Sequence, residues 1–425
     1  MKAPLPFVLC LMLLAAACAP KAPNVPAPVP VPPPAPAAPA PPLPPVPNDF
    51  ASFLHDFQAI ALAQGITAET YDKAMAGITP VPALQQAIDN QPEFTRPVWA
   101  YLDSAVSPRR VADAKLMLAR YSGPLQNIET ASGVPKEILV AIWGMETDFG
   151  KGNGSYNLFA TLATQAWQGP RQQYAKTELL AALKLLQQEN YPVSEMVASW
   201  AGAFGQTQFM PSTFFKYATD GDSDGKIDLW ASPADALAST AKLLAAEGWQ
   251  SGKSSFYEVK LPGDFDYSLA DLDETRKLAD WSDMGVTTPS GARLPRSDDD
   301  GALYLAAGAH GPAFMLLPNF RVILKYNNAA FYALAVGMLA DRMAGIAPVS
   351  AAWPRQERAL SHDERTQFQT DLKSLGYDPG EPDGVLGRKT RTALRAWQKS
   401  KNLPADGFPT ASLLTALDTA AAKAN

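Results

Sequence analysis

One glutamate stands where a helix would place an apolar side chain. The segment Gly133–Gly150 reads GVPKEILVAIWGMETDFG. Leu139, Ile142 and Trp143 recur at helical spacing and predict a buried stripe. Glu146 comes seven residues after Leu139, so at roughly 100° per residue it lies only about 20° off that stripe. Asp148 points to the other side. A carboxyl on an apolar face resists ionising, and a carboxyl still protonated near neutral pH is what a general acid requires. Taken alone, the stretch also fits a partly exposed Glu near a frayed helix end, or one paired with a buried Arg.

Two further stretches offer chemistry. Ala201–Ser212 reads AGAFGQTQFMPS. Gly202 and Gly205 permit close backbone approach, and Gln206 and Gln208 set amides beside Phe209 and Met210. Such a wall suits the N-acetyl and hydroxyl groups of a sugar, or simply a buried turn between two helices. The second stretch, Asp220–Asp235, reads DGDSDGKIDLWASPAD. Asp220, Asp222 and Asp224 occupy the first, third and fifth places of an EF-hand-like loop, followed by Gly225 and the carbonyl of Lys226. Ala231 stands where an EF-hand carries its closing Glu. The loop reads as a structural Ca²⁺ site or as a solvated acidic turn. The run Asp298–Asp300 has no ligand spacing and reads as a solvated loop.

The elements that position these residues are mostly helical. Helical spacing is expected over Asp49–Gln64, Ala68–Ala76, Pro108–Tyr121, Lys176–Glu189, Ala234–Glu247 and Tyr332–Met343. Phe256–Leu261 alternates like a strand, and Ala313–Leu324 is apolar enough for strand or mixed structure. These signals give an α+β fold dominated by helices. A short linker over 348–361 precedes a compact unit at 362–420. That unit reads as three short helices, with Phe368, Leu372, Leu375, Leu394 and Trp397 on the core side.

The start of the chain has a different character. Leu5–Ala17 is an apolar run broken only by Pro6, too short for a permanent membrane span, and it ends at Cys18. Residues 1–17 read as a lipoprotein signal with Cys18 as the lipid acceptor, although an ordinary Ala-x-Ala cleavage site is the alternative. Both readings export the chain. About half of the residues from Pro20 to Pro47 are Pro, which predicts an extended stalk over 18–48 reaching on the order of 85 Å. Within the 425 residues the only cysteines are Cys10 and Cys18, so the folded part has no disulfide framework. The three His are scattered, and a net charge of −6 argues against a nucleic-acid partner.

The order IWGMETDFG, then Ser199 with AGAFGQTQFMPSTF, then Tyr326-Asn327-Asn328 with Phe331-Tyr332 closely resembles the MltB-type membrane-bound lytic murein transglycosylases, over roughly Asp49 to Ile346. The resemblance implies a lysozyme-like catalytic core over 49–347. It also implies cleavage of the β-1,4 bond between N-acetylmuramic acid and N-acetylglucosamine without water, leaving a 1,6-anhydro-muramyl end. Glu146 matches the family's single acid/base. Ser199 and Gln208 match residues that contact the sugar or hold the site. Tyr326, Asn327 and Tyr332 match residues lining the cleft, and Arg171 matches the first Arg of a Pro-Arg-Arg whose second member is Gln172 here. The family's comparable Ca²⁺ loop closes with a later Asp, for which Asp235 stands here. No cofactor is implied for the chemistry itself.

The C-terminal stretch LGYDPGEPDGVLGRKTRTALRAWQKSKNLPADG resembles the small peptidoglycan-binding module of wall hydrolases. It implies glycan strands as the partner, with raised local concentration on the sacculus. A lipid anchor would add the inner face of the outer membrane in the periplasm. Wall-remodelling proteins are further possible partners. A hydrolytic muramidase and a non-catalytic wall-binding scaffold are the alternatives.

Overall fold

In the computed structural model, residues 49–82, 84, 96–272 and 274–424 are described. The expected signal, the stalk and Cys18 lie outside them. The fold is α+β and mainly helical, with a small four-stranded sheet and a two-stranded one that pairs Tyr156–Asn157 with Val197–Ala198. No single helix among the described residues is long and apolar enough to cross a membrane.

The helix Lys136–Thr147 runs through the main core. Every residue from Ile138 to Gly144 is buried. The expectation of one buried stripe is therefore too narrow. A helix apolar on all sides is one surrounded by others, and helices Pro108–Arg120, Ser122–Ser132, Pro233–Ala246 and Ala330–Met343 pack around it. Several helices begin at a capping residue. Asp49, Thr67, Ser107, Asn157 and Ser232 each accept a backbone N–H at an N-cap, which satisfies a donor with no partner inside the helix.

Four antiparallel strands form the larger sheet, in the order Phe256–Val259, Ala313–Leu316, Asp300–Leu305, Arg276–Lys277. The apolar stretch after Ala313 is mixed, as strand Ala313–Leu316 gives way to helix Pro318–Tyr326 at Pro318. The acidic run 298–300 is a turn that leads into a strand: Asp298 is exposed, Asp299 pairs with Lys253 at 2.6 Å, and the exposed Asp300 opens strand Asp300–Leu305 and pairs with Lys277 at 2.9 Å.

The C-terminal unit has the three expected helices, His362–Ser374, Arg388–Ser400 and Ala411–Ala424, around Phe368, Leu372, Leu394, Trp397 and Leu417. Its two Asp-Gly turns are held in the same way. Gln369 accepts from the Gly384 amide at 2.7 Å and donates to Asp383, and Gln398 accepts from the Gly407 amide at 2.8 Å and donates to Asp406. The segment over 348–361 is fastened rather than slack. Ser350 and Ala351 donate to Glu258, and Arg355 forms a two-pronged ion pair with Asp103 at 2.6 and 3.0 Å. The module itself docks on the sheet part. Asp406 Oδ2 accepts from the Ala309 amide at 2.7 Å, and Arg395 donates to the Ala270 carbonyl at 3.0 Å.

Helix Ala330–Met343 carries Tyr332 at one end and Asp341 at the other. Burial pushes the Asp341 carboxyl up to about 6. Near pH 5 the folded state therefore holds a proton that the unfolded chain has released, so stability falls as pH rises from about 4 to about 6. Asp341→Asn is expected to remove that loss. Its unfolding free energy relative to the parent, measured in urea, rises by up to about 2 kcal/mol between pH 4 and pH 7.5, after discounting for partial exposure. Parallel pH profiles for the two proteins would refute the assignment.

Candidate functional site

Glu146 sits on the last turn of the central helix, which ends earlier than Gly150. Asp148, Phe149 and Gly150 follow one another in the left-handed region, with φ of 49°, 65° and 81°. For the first two, that backbone costs on the order of 1–3 kcal/mol each, and the surroundings hold them there. Phe149 folds back edge-on against Trp143, with ring centres 5.8 Å apart. Gly144 makes this possible, since a Cβ there would lie 2.7 Å from the Phe149 ring. Asp148 turns away from Glu146, as expected, and meets Arg109 at 3.3 Å, Lys151 at 3.4 Å and Arg110 at 3.7 Å. Burial raises its carboxyl, but Lys151 and Arg109 outweigh that and hold it below the ordinary aspartate range.

The Gly-rich segment closes over this helix end. Both ends of the Gln206 amide are turned inward, so at this residue the stretch is the buried turn of the two readings. Its Oε1 accepts from the Trp143 indole at 2.9 Å, and its Nε2 donates to the Trp230 carbonyl at 3.0 Å. Thr147 donates to the Gln206 carbonyl at 2.6 Å and accepts from the Gly150 amide at 2.9 Å. Gln206 thus grips the helix on both sides of Glu146. A Cβ on Gly150 would lie 2.2 Å from Gln206 Oε1, so the chain must be Gly there. Gln208 is half-buried at φ 54°, and its amide donates to the Gly205 carbonyl at 3.0 Å. Ser199 is half-buried in the same turn, its amide bonded to the Ala203 carbonyl at 2.8 Å.

From the opposite side come two helices joined at Asn327–Ala329 and bent by 115°. Asn327 lies half-buried in that elbow, with extended backbone. Tyr332, on the first turn of the second helix, is 4% exposed and donates to Glu146 Oε1 at 2.5 Å. Tyr326, at the end of the first helix, donates to the Thr207 carbonyl. Burial first, and then the charge of Glu146, pushes both phenols well above their ordinary acidity. They stay protonated and act as donors. The structure therefore gathers Glu146, Tyr332, Tyr326 and the 199–208 segment. Arg171 stands exposed over the Tyr174 ring at 5.5 Å and shares no hydrogen bond or ion pair with that group among the described residues.

Two functional supports were not legible in spacing or composition. One is the Gln206 clamp. The other is Glu178, 1% exposed, whose two oxygens accept from the amide and hydroxyl of Ser212 at 2.9 and 2.7 Å and fix the helix that follows the Gly-rich turn.

In the acidic loop, oxygens of Asp220, Asp222 and Asp235 lie within 4.8 Å of one another. Asp224, expected as a ligand, stands outside that group: its carboxylate accepts from the Lys226 amide at 2.8 Å. Asp235 is 1% exposed and accepts from the Gly221 and Asp228 amides, both at 2.7 Å. Burial pushes its carboxyl up against those two bonds, and the charges of Asp222 and Asp220 add to the rise. Two acidic neighbours around a buried carboxylate form a donor set that fits a hard divalent cation.

Comparison with known proteins gives this geometry a family. The transglycosylase SLT domain family matches residues 49–341, and the peptidoglycan binding domain family matches 361–417. Membrane-bound lytic murein transglycosylase B of Escherichia coli K12 is 31% identical over 252 residues, which span 57% of this chain and 66% of that protein. The crystal structure of SltB3 from Pseudomonas aeruginosa, in complex with NAG-anhNAM-pentapeptide, superposes with a TM-score of 0.84 at 47% identity, over 87% of this chain and 100% of that one. The Escherichia coli lytic transglycosylase Slt35 in complex with calcium gives 0.60 at 27% identity, over 68% and 92%. The chain belongs to the SLT-domain lytic transglycosylases of peptidoglycan and carries a peptidoglycan-binding domain behind its lysozyme-like core.

Proposed function

We propose that Glu146 serves as both acid and base in cleaving the β-1,4 MurNAc–GlcNAc bond. Protonated Glu146 gives its proton to the glycosidic oxygen, and the bond from that oxygen to muramyl C1 breaks. The muramyl N-acetyl carbonyl supports the cation that develops at C1. The Glu146 carboxylate then takes the proton of the C6 hydroxyl, and O6 closes on C1 to give the 1,6-anhydro end. The nucleophile belongs to the same sugar, so its effective concentration is high and no water-activating carboxylate is needed.

The observation that carries this reading is the pairing of two carboxylates with opposite surroundings. Glu146 meets a phenol donor, Tyr332. Asp148, two residues away, is tied to Arg109 and Lys151. The phenol bond steadies the Glu146 carboxylate in the second step and fixes its orientation in the first. Ser199, Gln208, Tyr326 and Asn327 line the sugar's path in this reading, and Arg171 contributes at its edge.

The Asp220, Asp222 and Asp235 group binds Ca²⁺ as a structural ion, holding the loop that precedes helix Pro233–Ala246. The expected lipoprotein signal, with Cys18 as lipid acceptor, places the enzyme in the periplasm on the inner face of the outer membrane. The membrane-bound relative in Escherichia coli supports that placement.

Three outcomes are expected. Sacculi digested with the soluble chain release anhydro-muramyl products by mass spectrometry, whereas reducing-end products would identify a hydrolase. Glu146→Gln lowers kcat by about 10²–10⁴ while sacculus binding persists, and Tyr332→Phe lowers kcat by roughly 10-fold or more; full activity in Glu146→Gln would remove Glu146 from the mechanism. Ca²⁺ at about 100 times its Kd stabilises the chain by about 2.7 kcal/mol in thermal unfolding, EDTA reverses this, and Asp235→Asn abolishes it. A transition indifferent to Ca²⁺ would exclude the site.

A further inference from the structure

Between the catalytic core and the C-terminal module lies a cavity of about 610 Å³, with walls from both. One wall is Asn328–Phe331, and its next neighbour on the same helix is Tyr332, which holds Glu146. The cavity therefore lies next to the cleft at the elbow of the two bent helices. Glu146 is not part of its lining.

Its charge differs from that of the chain as a whole. The chain carries a net −6. Around this cavity stand Arg96, Arg358, Arg365 and Arg391, against one acid, Glu357. Two of these arginines have structural work. Arg358 pairs with Glu364, and Arg365 donates to the Gly384 and Leu360 carbonyls at 2.7 and 3.0 Å. Glu357 accepts from Ser412 at 2.7 Å. Arg391 is different. Among the described residues its guanidinium makes no hydrogen bond or ion pair. The groups that face it electrostatically are Tyr304 across the interface, and Arg395 and Asp406 from its own module. Asp406 offers little: its oxygens already accept from Gln398, Phe408 and Ala309. Arg391 is an exposed residue that lines the cavity, and packing around its guanidinium, together with the like charge of Arg395, lowers its pKa, so the cation gains by meeting an anion. The Tyr304 phenol also makes no hydrogen bond among the described residues, and burial pushes it up to about 12, so it remains a donor.

A guanidinium fork and a phenol facing one cavity make a carboxylate-binding pair. We propose that this cavity reads a carboxylate of the peptide borne by the substrate strand, with Arg391 supplying the charge and Tyr304 a hydroxyl. The inference rests on the transglycosylase reading above and deepens it. The C-terminal module then has a second role beyond retention on the wall. It completes a substrate subsite through its docking by Asp406 and Arg395, and that subsite distinguishes peptide-bearing glycan from bare glycan.

The test uses the full chain and two substrates, glycan strands bearing their peptides and the same strands stripped of peptide by an amidase. Anhydro-product release is followed for each, and the ratio of the two kcat/KM values is the readout. Arg391→Gln is expected to lower that ratio about tenfold, chiefly through KM, and Arg391→Lys to recover part of it. Lys389→Gln, which removes a charge from an exposed position on the same helix, leaves the ratio unchanged. A ratio that stays at the parent value in Arg391→Gln, or one that falls equally in Lys389→Gln, overturns the proposal. Absence of anhydro products from both strands with the parent protein overturns instead the activity on which the proposal stands.

Discussion

The catalytic geometry hangs on the amide of Gln206. The central helix must end abruptly at Thr147 so that Glu146 faces the cleft, and that ending requires two non-glycine residues in left-handed backbone. Such strain persists only where surrounding contacts outweigh it. Gln206 supplies those contacts from one residue. Its side chain takes the Trp143 indole proton and its carbonyl takes the Thr147 hydroxyl proton. Trp143 and Thr147 flank Glu146 in sequence at −3 and +1, so fixing both leaves the glutamate little freedom. A buried amide with both ends satisfied specifies geometry more sharply than apolar packing does, because a shift leaves a donor or acceptor unpaired at about 1–3 kcal/mol.

The same logic recurs where the chain must turn tightly beside something rigid. In the C-terminal module Gln369 and Gln398 each clamp an Asp-Gly turn from the preceding helix. Asp406 then has one oxygen committed to its own turn and the other free to accept from Ala309 of the core. Internal stability of the module and its attachment to the core are thus coupled through a single carboxylate. Together with the Arg355–Asp103 pair and the Glu258 bonds to the connecting segment, this gives the module a defined seat.

Much of this was legible in the sequence, and the rest was not for identifiable reasons. Helix boundaries followed local rules, since Asp49, Thr67, Ser107 and Ser232 are capping residues placed just ahead of apolar periodicity. Glu146 stood out because helical spacing put a carboxylate in an apolar row. Periodicity does not tell a helix buried on one face from one buried all round, so the enclosure of Ile138–Gly144 was missed. Nor does it orient an amide. Gln206 and Gln208 read alike in sequence, yet one is wholly inward and the other half-exposed. Strand Asp300–Leu305 was hidden by the acidic run that opens it. Its first residue, Asp300, is exposed and pairs with Lys277, while Asp299 in the turn before it pairs with Lys253.

The contacts that make the site join parts of the chain that are far apart in sequence. Trp143 and Gln206 are 63 residues apart, Thr207 and Tyr326 are 119 apart, and Glu146 and Tyr332 are 186 apart. Between the last two lies the whole four-stranded sheet, from Phe256 to Leu316. Closing loops of that length is entropically costly until the intervening structure has formed. The Glu146–Tyr332 bond therefore depends on the tertiary packing that brings helix Ala330–Met343 back against the central helix. A helix carrying Glu146 without that closure has its acid exposed to water and lacks the phenol that orients it. The bond that supports catalysis thus belongs to the tertiary fold and to neither helix alone.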